Sequence, residues 1–134
     1  MSRPSNAAPI LITMGEPAGI GPEIAVAAYK ALGGRIGARP LTLVGDPQVF
    51  SACGFGGETL ATKAPARRVP GKADAANAAA VIEAIETAVA LAARGEAAAL
   101  VTRADQQGRA GGRRFSLSRP YRVPPGADPA RRAR

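Results

Sequence analysis

The sequence predicts an α/β fold built on a parallel sheet that helices cover on both faces. Short apolar runs rich in β-branched residues alternate with longer segments of helical periodicity between residues 9 and 102. Such alternation is typical of βαβ units, in which the strands run parallel. At 134 residues the chain is long enough for one small domain and no more.

Apolar runs bounded by turn residues predict the strands, and apolar stripes that stop at glycine predict the helices. Gly33-Gly34 ends the first helix and Gly95 ends the longest one. Asp46 and Asp74 are expected to cap the helices that follow them. Residues 58–72 show no clear period. The predicted elements are a strand at 9–14, a helix at 22–32, a strand at 41–44, a short helix at 47–53, a long helix at 74–94 and a strand at 97–102.

The run from residue 13 to residue 24, TMGEPAGIGPEI, joins the first strand to the first helix. Gly15, Gly19 and Gly21 permit a sharp turn, and Pro22 suits the first helical position. Glycine-rich loops of this kind bring backbone N–H groups against phosphate, but the spacing matches neither a P-loop nor a dinucleotide fingerprint. On the pattern alone, a tight turn without a ligand and an anion-binding loop both stay open.

The whole string closely resembles the amino-terminal signature TMGDPAGIGPEI of the 4-hydroxythreonine-4-phosphate dehydrogenase (PdxA) family of vitamin B6 synthesis. Glu16 stands where that signature has Asp. The VGDP run that begins at Val44 is similar to the family's Val-Gly-Asp turn, and the LVT run that ends at Thr102 matches the start of its LVTAPINK motif.

The resemblance implies a three-layer α/β/α dehydrogenase fold, like that of isocitrate and isopropylmalate dehydrogenases, of which this chain would hold the amino-terminal part with an incomplete sheet. Intact members oxidise 4-phosphooxy-L-threonine with NAD and a divalent metal in pyridoxal phosphate biosynthesis, as homodimers. By position, Gly15, Glu16, Gly19 and Gly21 would line the substrate cleft, while forming the turn is their alternative role. We assign no catalytic or metal-binding residue, and the cofactor-binding residues are unknown.

The family's metal ligands are histidines, and this sequence contains no histidine. We therefore expect that this chain binds neither the metal nor NAD and is inactive. Glu83 and Glu86 are expected to be solvated helix surface, since no titratable partner accompanies them in the sequence. The single cysteine, Cys53, is expected to be a buried or half-buried small side chain.

The match to the family stops at Arg103. When residues 103 to 124 are back-translated and read one base later, synonymous codon choices permit the string APINKAVLADAGFRFPGHTEFL. This string continues LVT into LVTAPINK and then supplies the family's GHTEFL motif. We infer a frameshift at or just before codon 103. The expected organisation is a flexible amino terminus at 1–8, a partial α/β domain at 9–102 and an out-of-frame, disordered tail at 103–134.

The formal charge of +8 comes from that tail, because acidic and basic residues nearly balance before Arg103. All basic residues of the tail are arginines, opposed only by Asp105 and Asp128. A small non-enzymatic binding module with a basic nucleic-acid-binding tail is therefore the alternative function. The lone cysteine and the lack of a leader or an apolar run of membrane-spanning length predict a cytoplasmic protein without a membrane partner.

Overall fold

The computed structural model describes residues 6–72 and 74–102. Strands and helices alternate within these residues, as the sequence predicts. The strands are β1 (Ile10–Thr13), β2 (Arg35–Ile36), β3 (Arg39–Gly45), β4 (Thr59–Ala61) and β5 (Ala99–Val101). The helices are α1 (Gly21–Ala31), α2 (Pro47–Ala52) and α3 (Ala78–Ala93), and a 3-10 turn (Ala75–Asn77) precedes α3.

The sheet is centred on β1, which pairs in parallel with β3 on one side and with β5 on the other. Ile10 lies opposite both Leu41 and Ala99 in this register. β3 pairs in parallel with β4 at its carboxyl end and antiparallel with the two-residue β2 at its start. The predicted parallel sheet is confirmed, and the antiparallel pairing of β2 with β3 is an addition that the sequence did not predict.

Apolar side chains on both faces of the sheet hold the helices. Neighbouring residues of a strand face opposite sides, so Leu43 and Val44 enter two separate clusters. The first cluster also contains Val26 of α1 and Phe50 of α2. The second cluster joins Val44 to alanines of α3, among them Ala84. Helices therefore pack on both faces, as expected for an α/β fold.

The predicted helix ends agree closely with the structure. The Asp46 carboxylate accepts a hydrogen bond from the backbone N–H of Gln48 at 2.9 Å and caps α2. Asp74 accepts from the N–H of Ala76 at 2.9 Å in the same way, but the turn that it caps is 3-10 before the α-helix begins. At the end of α1, Gly34 takes a positive φ of 76° and donates its N–H to the Tyr29 carbonyl.

The segment Ala75–Ala93 is 19 residues long and apolar enough, by length and composition, to cross a membrane. The expectation that no segment reaches this length is therefore wrong. Core helices of globular proteins meet the same test, and here Ala84 and Ala88 are buried against the sheet. The absence of a membrane partner stays a prediction.

The predicted domain boundaries also stay predictions. Ala8 is buried and its carbonyl accepts a hydrogen bond from the Arg39 guanidinium at 3.2 Å. Residues 1–5 and the predicted tail at 103–134 lie outside the described residues.

Candidate functional site

Four strands end at the same edge of the sheet, because β1, β3, β4 and β5 run parallel. We call this the carboxyl edge. Two loops bring polar side chains to it, the β1–α1 loop (residues 14–20) and the β4–α3 loop (residues 62–72). Ligands of open α/β sheets bind outside the carboxyl ends of the strands. This edge is therefore the candidate functional site.

Two glycines of the β1–α1 loop, Gly15 and Gly19, and the first residue of α1, Gly21, differ in how strictly the backbone requires glycine. Gly15 has a positive φ of 66°, which few residues with a side chain adopt. Gly21 leaves no room for a side chain, since a Cβ there would lie 2.7 Å from the Met14 carbonyl oxygen. A Cβ on Gly19 would lie 3.4 Å from the Glu16 carbonyl oxygen, close to an ordinary contact. The turn thus requires glycine at two of its three positions.

Glu16 is half-buried and belongs to a hydrogen-bond network inside the site. Its Oε1 accepts from the Ala18 N–H at 3.2 Å and from Nδ2 of Asn77 at 3.3 Å. Asn77 is only 1% exposed. Its amide also accepts from the Arg67 N–H and donates to the Arg67 carbonyl, both at 2.7 Å. Asn77 therefore links the β1–α1 loop, the β4–α3 loop and the start of α3.

Arg68 lies beneath the β1–α1 loop with its side chain only 9% exposed. One guanidinium nitrogen donates to the carbonyls of Pro17 at 2.8 Å and Gly19 at 3.0 Å. The other forms an ion pair with Glu23 in the first turn of α1. The carbonyls of the loop thus face a buried cation, and Arg68 fixes the loop to the rest of the edge.

Two carboxylates hold the backbone of the β4–α3 loop. Asp46 accepts from the Ala66 N–H at 2.9 Å. Glu83 accepts from the N–H groups of Lys63 at 2.8 Å and Ala64 at 2.7 Å. These two backbone hydrogen bonds, together with the Lys63 charge, lower the pKa of Glu83 below its usual range. The expectation that Glu83 is merely solvated surface is wrong, because its carboxylate anchors a loop that periodicity did not resolve.

The polar groups at this edge provide binding and positioning rather than evident acid–base chemistry. Among residues 6–72 and 74–102, no three His, Cys, Asp or Glu side chains gather as a metal site would require. The carboxylates of Glu16, Asp46 and Glu83 already accept backbone N–H groups. Thr62 has a buried Oγ1 with no hydrogen-bond partner in the described part of the chain. Cys53 is half-buried, as predicted.

Comparison with known proteins assigns this architecture to a family. A protein of Roseobacter denitrificans, named 4-hydroxythreonine-4-phosphate dehydrogenase, is 45% identical over 111 residues, covering 71% of this chain and 33% of the relative. Proteins of the same name from Paracoccus denitrificans and Methylorubrum populi are 40% identical over 114 residues and 35% identical over 125 residues, each covering 73% of this chain. This chain belongs to the 4-hydroxythreonine-4-phosphate dehydrogenase family. No protein-family model matches it.

The chain spans about a third of the length of these dehydrogenases. Gly15, Glu16, Gly19 and Gly21, the residues predicted to line the dehydrogenase cleft, lie together in or beside one loop at the carboxyl edge. That they contact a substrate stays a prediction.

Three residues that organise this edge were not predicted from the sequence. Arg68 binds groups 45 to 51 residues away in the chain. Asn77 binds Glu16, 61 residues away, and Arg67, 10 residues away, and Glu83 binds groups about 20 residues away. No local pattern encodes such partners. The available signal for Asn77 was a polar residue at the start of an alanine-rich helix, where an amide often serves as a cap. Its side chain instead hydrogen-bonds to the β1–α1 and β4–α3 loops.

Proposed function

We propose that the chain is the amino-terminal part of a cytoplasmic, NAD-dependent 4-hydroxythreonine-4-phosphate dehydrogenase of pyridoxal phosphate biosynthesis. Its fold would be the three-layer fold of isocitrate and isopropylmalate dehydrogenases, and the intact enzyme would be a homodimer acting on a phosphorylated hydroxy amino acid. The identity of up to 45% to dehydrogenases of that name carries the proposal.

In this proposal, the β1–α1 loop forms one wall of the substrate cleft. Gly15, Glu16, Gly19 and Gly21 lie at the carboxyl edge, where open α/β sheets bind ligands. Arg68 and Asn77 hold the loop through three hydrogen bonds, to the carbonyls of Pro17 and Gly19 and to the carboxylate of Glu16. A loop fixed in advance costs less to order when a ligand binds.

The residues of this chain do not fit the divalent metal that the family uses. The sequence has no histidine, and the described residues contain no acidic or sulfur cluster that replaces it. The loop glycines do not form a dinucleotide fingerprint either. We therefore propose that the chain by itself binds no metal, turns over no substrate and takes no part in a redox reaction.

A frameshift at codon 103 explains why this chain lacks the histidines that bind the metal in the family. In its support, the shifted frame of residues 103 to 124 permits both the APINK and GHTEFL motifs. Resequencing the gene across codon 103 tests this inference directly. A continuous frame that encodes the family's histidines downstream supports it, and a downstream region without the family pattern in any frame contradicts it.

The activity itself is tested with two purified proteins. One is the 134-residue chain, and the other is the product of the gene with one base removed at codon 103. NADH formation from 4-phosphooxy-L-threonine, NAD and a divalent metal is expected only from the frame-restored protein. Turnover by the 134-residue chain would overturn the proposed inactivity, and an inactive but folded restored protein would overturn the assignment of substrate and reaction.

The alternative, a nucleic-acid-binding module, is supported by the nine arginines between residues 103 and 134. Such binding would weaken steeply with salt, because it releases counterions from the phosphate backbone. Deleting residues 103–134 would abolish it. If the full chain shows no salt-sensitive binding to DNA or RNA, the alternative is eliminated.

A further inference from the structure

The β4–α3 loop concentrates positive charge at the carboxyl edge. Lys63, Arg67, Arg68 and Lys72 lie within residues 62–72, and no acidic residue does. Arg68 is buried and occupied by the β1–α1 loop and by an ion pair. The other three are exposed, and none forms a salt bridge within the part of the chain that the structure describes.

Exposure alternates along the loop, and two of these cations are exposed four residues apart. Every odd-numbered residue from 61 to 69 is exposed and every even-numbered residue is half-buried. The chain bends at Lys63 and Ala64 and has no regular structure from residue 65 to residue 69. Lys63 and Arg67 are both exposed, with Pro65 between them. Four residues of extended chain span at most about 14 Å. Long side chains at its two ends therefore reach a common ligand.

The acidic and amide side chains around the loop bind its backbone rather than its cations. Asp46, Glu83 and Asn77 accept the N–H groups of residues 63, 64, 66 and 67 at 2.7 to 2.9 Å. The backbone is thereby held in place. The Lys63 charge interacts with the Glu83 carboxylate without forming a salt bridge, and Arg67 forms no salt bridge in the described residues. A held backbone with exposed cations is suited to an anionic ligand, because little ordering accompanies binding.

We infer that Lys63 and Arg67 bind the phosphate group of a ligand at the carboxyl edge. The guanidinium and ammonium groups supply several donors, and both recognise phosphate oxygens. This inference rests on the proposed function, since the matched dehydrogenases are named for a phosphorylated compound. The phosphate belongs either to a phosphorylated hydroxy amino acid or to the diphosphate of a dinucleotide.

The test titrates the full 134-residue chain with inorganic pyrophosphate and follows its backbone amides by NMR. We expect the amide signals of residues 63–69 to shift. The double variant Lys63→Gln/Arg67→Gln should lose at least fivefold in affinity. Its matched control, Arg35→Gln/Arg94→Gln, removes the same charge from exposed residues near the opposite edge of the sheet and should retain its affinity.

Separate titrations with 4-phosphooxy-L-threonine and with NAD distinguish the two sources of phosphate, because only the true source should lose affinity in the Lys63/Arg67 variant. Shifts confined to the arginines of 103–134, or equal losses in the variant and its control, would overturn the inference. The test requires no turnover. An inactive frame-restored enzyme would thus refute the proposed function. The phosphate site would still be decided by the titrations alone.

Discussion

Two residues carry most of the connections at the carboxyl edge. Arg68 binds two carbonyls of the β1–α1 loop and a carboxylate of α1, while Asn77 binds that loop and the β4–α3 loop. Both are almost completely buried in this network. Buried polar groups cost free energy unless their hydrogen bonds are satisfied. Each residue therefore stabilises the edge only as long as its partners stay in place.

Replacement of Asn77 by Ala should lower the free energy of unfolding by about 1–3 kcal/mol. The reason is that the N–H and carbonyl of Arg67 lose a partner in a partly buried position. Denaturant unfolding measures the change, and Gln48→Ala on the exposed side of α2 serves as a control. Equal stability of the two variants would contradict the role given to the Asn77 amide.

Gly19 of the β1–α1 loop and Gly21 at the start of α1 should differ in their tolerance of a methyl group. Gly21→Ala places a Cβ 2.7 Å from the Met14 carbonyl oxygen and should cost about 1–3 kcal/mol of stability through overpacking. Gly19→Ala is the matched control, since its Cβ would make nearly ordinary contacts. Thermal unfolding of both variants compares them. A larger loss for Gly19→Ala would show that the turn geometry is misassigned.

At the scale of elements, every predicted helix and strand is present in the structure, while the two shortest strands, β2 and β4, were not predicted. The helices predicted at 22–32 and 74–94 correspond to α1 and to α3 with its 3-10 turn, because each has an apolar stripe and end signals over several turns. β2 and β4 have two and three residues. So few residues cannot display a period, and their pairing with β3 depends on a strand distant in the sequence.

The contact between α3 and the β4–α3 loop should depend on pH through Glu83. Its pKa is lower in the folded protein than in the unfolded chain, so the folded state favours the ionised form. That contribution to stability is complete above the usual pKa of Glu and is lost as pH falls through the lowered folded value.

Glu83→Gln should therefore reduce stability near neutral pH and flatten the fall in melting temperature below about pH 4.5, the ordinary value for Glu. Glu86→Gln on the same helix is the control, because that side chain is exposed and has no hydrogen bond to the loop in the described residues. Identical pH profiles for wild type and Glu83→Gln would rule out the anchor.

At the scale of the whole molecule, β5 ends the sheet as an edge strand within the described residues. Its Val101 is 51% exposed, and Val89 of α3 is 48% exposed. Unpaired edges and exposed apolar groups favour association between chains. This agrees with a sheet that continues in the intact enzyme, as proposed above.

The 134-residue chain should consequently associate or be degraded quickly, and a charge on the edge should relieve this. Val101→Lys is expected to raise the monomeric fraction in size-exclusion chromatography, because charged side chains block edge pairing. Ile24→Lys on the exposed face of α1 is the control with the same change of charge. A monomeric wild type with a cooperative thermal transition would contradict the prediction.

By itself, the sequence determined the α/β class, the main elements, their caps and the family, because periodicity, turn chemistry and a twelve-residue signature are all local. The shifted-frame motifs after Thr102 could also be detected only in the sequence. The tertiary structure decided which loops meet. It buries the Arg68 side chain against the glycine loop, brings Asn77 and Glu83 into hydrogen bonds with the β4–α3 loop, and leaves Lys63 and Arg67 exposed. These contacts join residues about 10 to 60 positions apart, and the folded sheet brings them together.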